Sequence, residues 1–145
     1  MDFSEDKFLG HIKKIDSTKS HKSIENLHKY ITNEIKIGNV QKLIDLNVFY
    51  FIELIMIDGT FTDIELCLDM ACDIVRKYTS TEDFNETQDY VVSKNFVDCV
   101  IGLMKAGRSY SSLATLFLLE CAAKFEEIYD YLEEDKDVIK YLSSD

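Results

Sequence analysis

Apolar residues between Val40 and Tyr78 follow three helical patterns in succession, two short and one longer. The first pattern stops at a turn around Asn47, and the second stops at Gly59. The apolar positions of the two short segments are Val40, Leu43, Ile44, Val48, Phe49, Ile52, Ile55 and Met56. Such a unit cannot bury its apolar faces alone, so the rest of the chain must supply neighbours.

The longer helix is predicted to open with Thr62-Asp-Ile-Glu65, which has the spacing of a capping box. In that motif a hydroxyl and a carboxylate each accept a hydrogen bond from a free amide at the helix N-terminus. The apolar residues then recur on one helical face, at Ile64, Leu68, Ala71, Val75 and Tyr78. This face is expected to lie in the core.

The same pattern returns further along the chain, after a polar connection over 79–86. Asn95 lies 48 residues after Asn47, Gly107 lies 48 after Gly59, and the longer helices match best at an offset of 50. The first helix of this second unit is predicted to carry the apolar residues Tyr90, Val91 and Val92, with a turn at Asn95 after it. The second helix carries Phe96, Val97, Val100, Leu103 and Met104 and ends at Gly107. Residues 109–112 offer caps for the third helix, whose apolar face holds Ala114, Leu118, Cys121 and Phe125. The recurrence is typical of a repeat protein.

Both ends of the chain add helices to this pair of units. Residues 3–15 predict one helix, a polar link covers 16–20, and a second helix follows up to Gly38. After the second unit, a short helix, a turn near Asp135 and another short helix form the start of a third unit. We therefore expect an N-terminal arm or cap over 1–19 and a repeat domain over 20–145, with units at about 39–79, 86–125 and 126–143.

Composition favours helices throughout the chain. Its 145 residues include no proline and five glycines, so little interrupts a helix. With 46% hydrophobic and 30% charged residues, the chain has the composition of a globular domain with a real core. The expected fold class is all-α, a short armadillo/HEAT-like right-handed helical solenoid.

Negative charge is concentrated in the C-terminal part of the chain. The net charge is −11, with a balance of +1 over residues 1–45 and −12 over residues 46–145. Such a surface repels phosphate backbones and attracts basic peptides, so direct nucleic-acid binding is not expected. The acidic N-terminus does not look like a secretory signal, and the most apolar window, 48–57, is too short to span a bilayer. We expect an intracellular protein without a membrane partner.

The sequence offers little candidate chemistry. Four cysteines stand singly in apolar helical patterns, at Cys67, Cys72, Cys99 and Cys121. They are expected to be reduced core residues. His21 and His28 lie two turns apart on one predicted helix and are expected to face solvent, because further metal ligands at helical spacing are lacking. With no phosphate loop, nucleophile elbow or zinc-protease motif, neither an enzyme nor a cofactor is expected.

The segment LIDLNVFYFIELIMIDGTFTDIELCLDMACDIV resembles the armadillo consensus, with Asn47 where a small residue usually ends the first helix. Together with the acidic connection TSTEDFNETQDYVV and the second unit after it, it is similar to the first units of the beta-catenin-like family of spliceosomal proteins. The resemblance covers residues 20–142, whereas family members continue through several more units. It implies a nuclear, non-enzymatic adaptor in pre-mRNA splicing that associates with a Myb-domain scaffold and recognises basic segments, with the cytoplasm as the alternative location. No residue matches a family functional motif, so no role is transferred by position.

Three carboxylates on the longer helix of the first unit form a candidate partner-binding site. Glu65, Asp69 and Asp73 recur every four residues opposite the core face, and we call them the acidic row. Like charges at that spacing repel by roughly 0.2–0.5 kcal/mol per pair, which a Lys/Arg-rich segment of a spliceosomal scaffold would relieve. The alternative is a solvated face without a partner.

The corresponding row of the second unit is apolar. It consists of Thr115, Leu119 and Ala123, widened by Leu113, Leu116 and Phe117. A helix that is hydrophobic nearly all round must be covered on every side in a soluble protein. We take Leu116, Leu119 and Ala123, the apolar row, as the second candidate partner-binding site. Three things could cover this row: the incomplete third unit, a partner protein, or a second copy of the chain. In the last case the protein would be a homodimer.

Two other function classes stay open beside the adaptor. One is an armadillo-type co-chaperone that embraces the nucleotide-binding lobe of Hsp70 and promotes nucleotide exchange. The other is a viral Bcl-2-like host-interaction protein, whose groove binds an amphipathic helix. The tandem repeat argues against the second class, because a Bcl-2-like bundle surrounds a central helix and has no internal repeat.

Overall fold

The computed structural model describes residues 3–78 and 92–143. These residues form nine α-helices and no strand. The helices are α1 (Glu5–Thr18), α2 (His21–Lys36), α3 (Val40–Asp45), α4 (Val48–Ile57), α5 (Phe61–Lys77), α6 (Lys94–Lys105), α7 (Ser111–Lys124), α8 (Glu126–Glu133) and α9 (Lys136–Ser143). The prediction of an all-α protein is confirmed. Among the helices described, none is long and apolar enough to cross a membrane.

Helices α1 and α2 pack against each other at the N-terminus. The hydroxyl oxygens of Ser4 and Ser20 cap their first turns. Helix α1 continues to Thr18, so the polar link predicted over 16–20 is wrong for its first three residues. The chain turns instead at Lys19, which has a left-handed backbone with φ 53° and whose amide still bonds the Ile15 carbonyl at 2.8 Å.

Helix α5 begins with a capping box, two residues earlier than predicted. The box is Thr60 and Asp63, so the prediction of Thr62 and Glu65 is wrong. Thr60 Oγ1 accepts the Asp63 amide at 3.2 Å, and Asp63 Oδ2 accepts the Thr60 amide at 3.1 Å. Gly59 makes this early start feasible, because a Cβ atom there would lie 3.0 Å from a carbonyl oxygen of α4.

The other predicted turns have mixed outcomes. Asn47 separates α3 from α4 with φ 62°, and Gly107 follows α6 with φ 66°, both as predicted. The turn predicted at Asn95 is wrong, because that residue lies inside α6. The helix starts after Ser93, whose hydroxyl accepts an amide of its first turn at 3.1 Å. The first-helix residues Tyr90 and Val91 of the second unit lie outside the described residues.

The predicted core faces of α5 and α7 are buried. Their residues are Ile64, Leu68, Ala71, Val75, Tyr78, Ala114, Leu118, Cys121 and Phe125. Between the helices, the rings of Phe49, Phe96 and Phe117 contact one another with centroids 5.2 to 6.3 Å apart. These rings join α4, α6 and α7 in one core.

Helices α2, α5 and α7 lie side by side, with α5 packed against both neighbours. Residue pairs that bridge them advance in the same direction along each helix, so the three helices run parallel. The pairs are His21 with Asp63, His28 with Asp69, Cys72 with Leu113 and Arg76 with Glu120. Helix α4 packs against α5 and α6, and α6 packs against α7, which makes a second layer behind the first.

Helices α8 and α9 close the C-terminal end of the two layers. Helix α8 packs on α7, and α9 contacts α6, α7 and α8. The turn predicted near Asp135 is confirmed, because its carboxylate accepts the amides of Asp137 and Val138 at 2.9 and 3.3 Å and so caps α9. Val138 and Leu132 are buried, while Ile139 is exposed.

Candidate functional site

The acidic row lies along the side of α5 that faces away from its buried residues. Asp69 is exposed, whereas Glu65 and Asp73 are half-buried. The opposite side of the helix holds Ile64 and Leu68 in the core. The geometry therefore presents three carboxylates along one helical face, with unequal access to solvent.

Asp69 already has a partner within the chain. The Nε2 atom of His28 on α2 lies 2.7 Å from Asp69 Oδ2. The His28 side chain is 26% exposed at this contact, so the expectation that it faces solvent is confirmed only in part. A cation that binds Asp69 must share the carboxylate with an imidazole or displace it. Sequence spacing could not reveal this pair, because it depends on how α2 and α5 align.

A second histidine–carboxylate pair joins the N-terminal ends of α2 and α5. His21 Nδ1 lies 2.5 Å from Asp63 Oδ1, and its Nε2 lies 3.6 Å from Glu25 Oε2. Burial acts to raise the pKa of Asp63, but hydrogen bonds from His21 and Thr60 outweigh it and leave that pKa below its ordinary value. Asp63 is thus a charged helix-capping group, while His21 remains exposed as expected.

The apolar row is open to solvent. Leu116 is 38% exposed and Leu119 44% exposed, and Ala123 is also exposed. Helices α8 and α9 contact α7 but leave more than a third of each leucine side chain exposed, so full cover by the incomplete third unit is wrong. Phe117, expected to widen the row, is instead fully buried. The exposed apolar strip is narrower than the sequence indicated.

Two contacts fix α5 and α7 to each other beside these rows. Arg76 Nε lies 3.6 Å from Glu120 Oε2. The Nζ atom of Lys124 donates hydrogen bonds to the carbonyl oxygens of Val75, Arg76 and Tyr78 at 2.6, 3.1 and 2.6 Å. A cation on α7 therefore caps the C-terminus of α5. The acidic row and the apolar row are held on adjacent helices of one layer.

The thiols offer little reactivity. All four cysteines are free, and Cys67, Cys72 and Cys121 are buried, which confirms the expectation for these three. Burial raises the pKa of Cys72 to about 12 and that of Cys121 well above its ordinary value. Cys99 is half-buried. No group of three metal-ligating side chains occurs in the part of the chain that the structure describes.

Comparisons of the chain with protein-family models, with curated proteins and with solved structures found no match. The resemblance to spliceosomal armadillo proteins therefore stays a prediction.

Proposed function

We propose that the protein is a non-enzymatic protein-binding module that receives its partner on the α5–α7 face, formed by the acidic row and the apolar row. The observation that carries the proposal is the partial exposure of Leu116 and Leu119 on α7, which packs against the helix that carries the acidic row. Fully burying an exposed leucine contributes about 1.5–3 kcal/mol, so covering the exposed part of Leu116 and Leu119 contributes on the order of 1 kcal/mol for each. The acidic row then favours partners with lysine or arginine.

The fold we propose for this module is a short armadillo/HEAT-like right-handed solenoid. Support comes from the parallel alignment of α2, α5 and α7 in one layer and from α4 and α6 behind them. In solenoids of this kind, the layer formed by corresponding helices of successive units provides an extended binding surface. The acidic and apolar rows both belong to that layer.

The biological setting we propose is pre-mRNA splicing in the nucleus, with a Lys/Arg-rich segment of a scaffold protein as the partner. It rests on the sequence resemblance alone. The Hsp70 co-chaperone is retained as the alternative, because an armadillo-type exchange factor would also use an exposed solenoid face. A nucleotide-exchange assay with Hsp70 separates the two: acceleration of exchange favours the co-chaperone.

The test uses a fluorescent amphipathic peptide of lysine and leucine and follows its anisotropy at low and high salt. Charge reversal of the whole acidic row (Glu65→Lys, Asp69→Lys, Asp73→Lys) should weaken binding about tenfold or more, with thermal stability nearly unchanged. The salt dependence of binding should also become shallower.

A matched control is available on α8 and its C-terminal cap residue, where Glu126, Asp130 and Glu134 are exposed at the same four-residue spacing. Reversing these three charges changes the net charge by the same amount as reversing the acidic row, but at residues outside the proposed face. Equal losses in both triple variants would mean that only overall charge matters, and the proposed site would be wrong.

A further inference from the structure

A concave surface separate from the α5–α7 face lies between α1, α2, α4 and the start of α5. It is a cleft of about 130 Å³, which we call the α1–α4 cleft. Its apolar lining consists of Ile12, Ile15, Ile24, Phe51, Leu54 and Ile55. An apolar cavity of about 150 Å³ binds benzene, so the cleft has room for one large apolar side chain.

The rim of the α1–α4 cleft is acidic. Asp16, Asp58 and Asp63 line it, and Lys19 is the one cation among the described residues of the lining. Lys19 pairs with Asp16 at 3.7 Å, but both side chains are highly exposed, so the pair holds neither charge firmly. Asp63 is already engaged by His21 and Thr60. Asp16 and Asp58 are the carboxylates open to a ligand.

Apolar surface continues from the cleft along α4. Leu54 is 46% exposed, and Tyr50 and Ile57, one turn to either side, are 53% and 66% exposed. Contiguous exposed apolar residues next to a concave site are typical of protein-interaction surfaces. These three side chains of α4 enlarge the surface that a bound segment can contact beyond the cleft itself.

We propose that the α1–α4 cleft is a second peptide-binding site, which takes a segment with one large apolar side chain flanked by lysine or arginine. The apolar side chain enters between α1 and α4, and the flanking cations meet Asp16 and Asp58. The acidic rim selects this occupant, because it repels phosphates and fatty-acid carboxylates that would otherwise suit an apolar cleft. The site is independent of the α5–α7 face.

Three synthetic peptides of equal length test the site: a central Phe flanked by lysines, the same peptide with a central Ala, and the Phe peptide flanked by glutamates. Amide chemical shifts of the protein are followed by NMR during each titration. The lysine-flanked Phe peptide should shift the amides of Gly59 and Leu54. The Ala peptide and the glutamate-flanked peptide should each bind at least about tenfold more weakly.

Variants locate the interaction within the cleft. Ile12→Phe fills the space from a half-buried position on α1 and should weaken binding of the Phe peptide about tenfold. Asp58→Lys should weaken it several-fold, while Asp130→Lys, an exposed change on α8, should leave it unaltered. If Ile12→Phe does not fold, as judged by circular dichroism, the Ala peptide and Asp58→Lys decide the question.

Several results would overturn the proposal. Shifts confined to amides around Ala123 would place the peptide on the α5–α7 face alone. Equal binding of the Phe and Ala peptides, or unchanged binding to Ile12→Phe, would mean that no side chain enters the cleft. A concentration-dependent dimer in sedimentation that Ile12→Phe abolishes would make a second copy of the chain the occupant instead.

Discussion

The imidazole of His28 lies 2.7 Å from the carboxylate of Asp69, so the most exposed member of the acidic row is already shared with α2. Surface pairs of this kind contribute about 0.2–1 kcal/mol. The contact ties α2 to α5 and at the same time competes with any cation that approaches the row.

Removing the competitor should strengthen binding of a basic partner. We expect His28→Ala to raise the affinity of the lysine–leucine peptide by roughly two- to fivefold, in line with the small contribution of exposed pairs. Fluorescence anisotropy measures the change. His11→Ala, on α1, is the control. Unchanged or weaker binding by His28→Ala would show that Asp69 does not contact the peptide.

Asp63 should make stability depend on pH in the acid range. Its folded-state pKa is lower than the ordinary value of 3.8, so its charge stabilises the fold above that value, and the contribution is lost as pH falls through the folded pKa. Asp63→Asn should therefore lower the free energy of unfolding by about 1.5 kcal/mol near neutral pH and by much less near pH 2. Urea denaturation at both pH values provides the comparison. A difference between wild type and Asp63→Asn that persists at the lower pH would contradict this role.

Lys124 should stabilise the fold by capping α5. Lys124→Met keeps most of the aliphatic stem but removes the cation from three carbonyl oxygens at the C-terminus of that helix. We expect a loss of about 2 kcal/mol in the free energy of unfolding, measured by urea denaturation. Lys140→Met, on an exposed position of α9, should change it little. Similar losses in the two variants would mean that the three hydrogen bonds contribute nothing specific.

Thiol accessibility should separate the cysteines. In the native protein, Cys99 should react first with an aromatic disulfide reagent, because it is half-buried and the other three are buried. Cys99→Ser should remove the fast phase, and the remaining thiols should react only as the protein unfolds. Fast reaction of the Cys99→Ser variant would contradict the burial of the other cysteines.

Hydrophobic periodicity predicted the helices well, because each core face needs a fixed spacing of apolar residues. Local turn chemistry is harder to predict: Thr60–Asp63 and Thr62–Glu65 both have the capping-box spacing, and the box that forms is the one whose Asp63 also bonds His21 of α2. The turn predicted at Asn95 is wrong because the residue that matches Asn47 at an offset of 48 lies inside α6.

The contacts between distant segments could not be predicted from the sequence. The pairing of His28 with Asp69 and the capping of α5 by Lys124 depend on how parallel helices align, which a single sequence does not encode locally. Phe117 lies in a stretch that is apolar on nearly all sides of the helix, so the sequence does not show which of its residues face the core. Its packing on Phe49 and Phe96 places it there.

The most direct test of the α5–α7 face compares Leu119→Glu with Ile139→Glu. The two side chains are 44% and 39% exposed, so both substitutions introduce a charge at a similarly accessible apolar position. Binding of the lysine–leucine peptide is measured by anisotropy, and sedimentation velocity monitors self-association of each protein. We predict that Leu119→Glu weakens peptide binding about tenfold or more while Ile139→Glu leaves it within about twofold of wild type. A monomeric wild-type protein whose peptide binding and stability are both unaffected by Leu119→Glu would contradict the claim that the apolar row receives a partner.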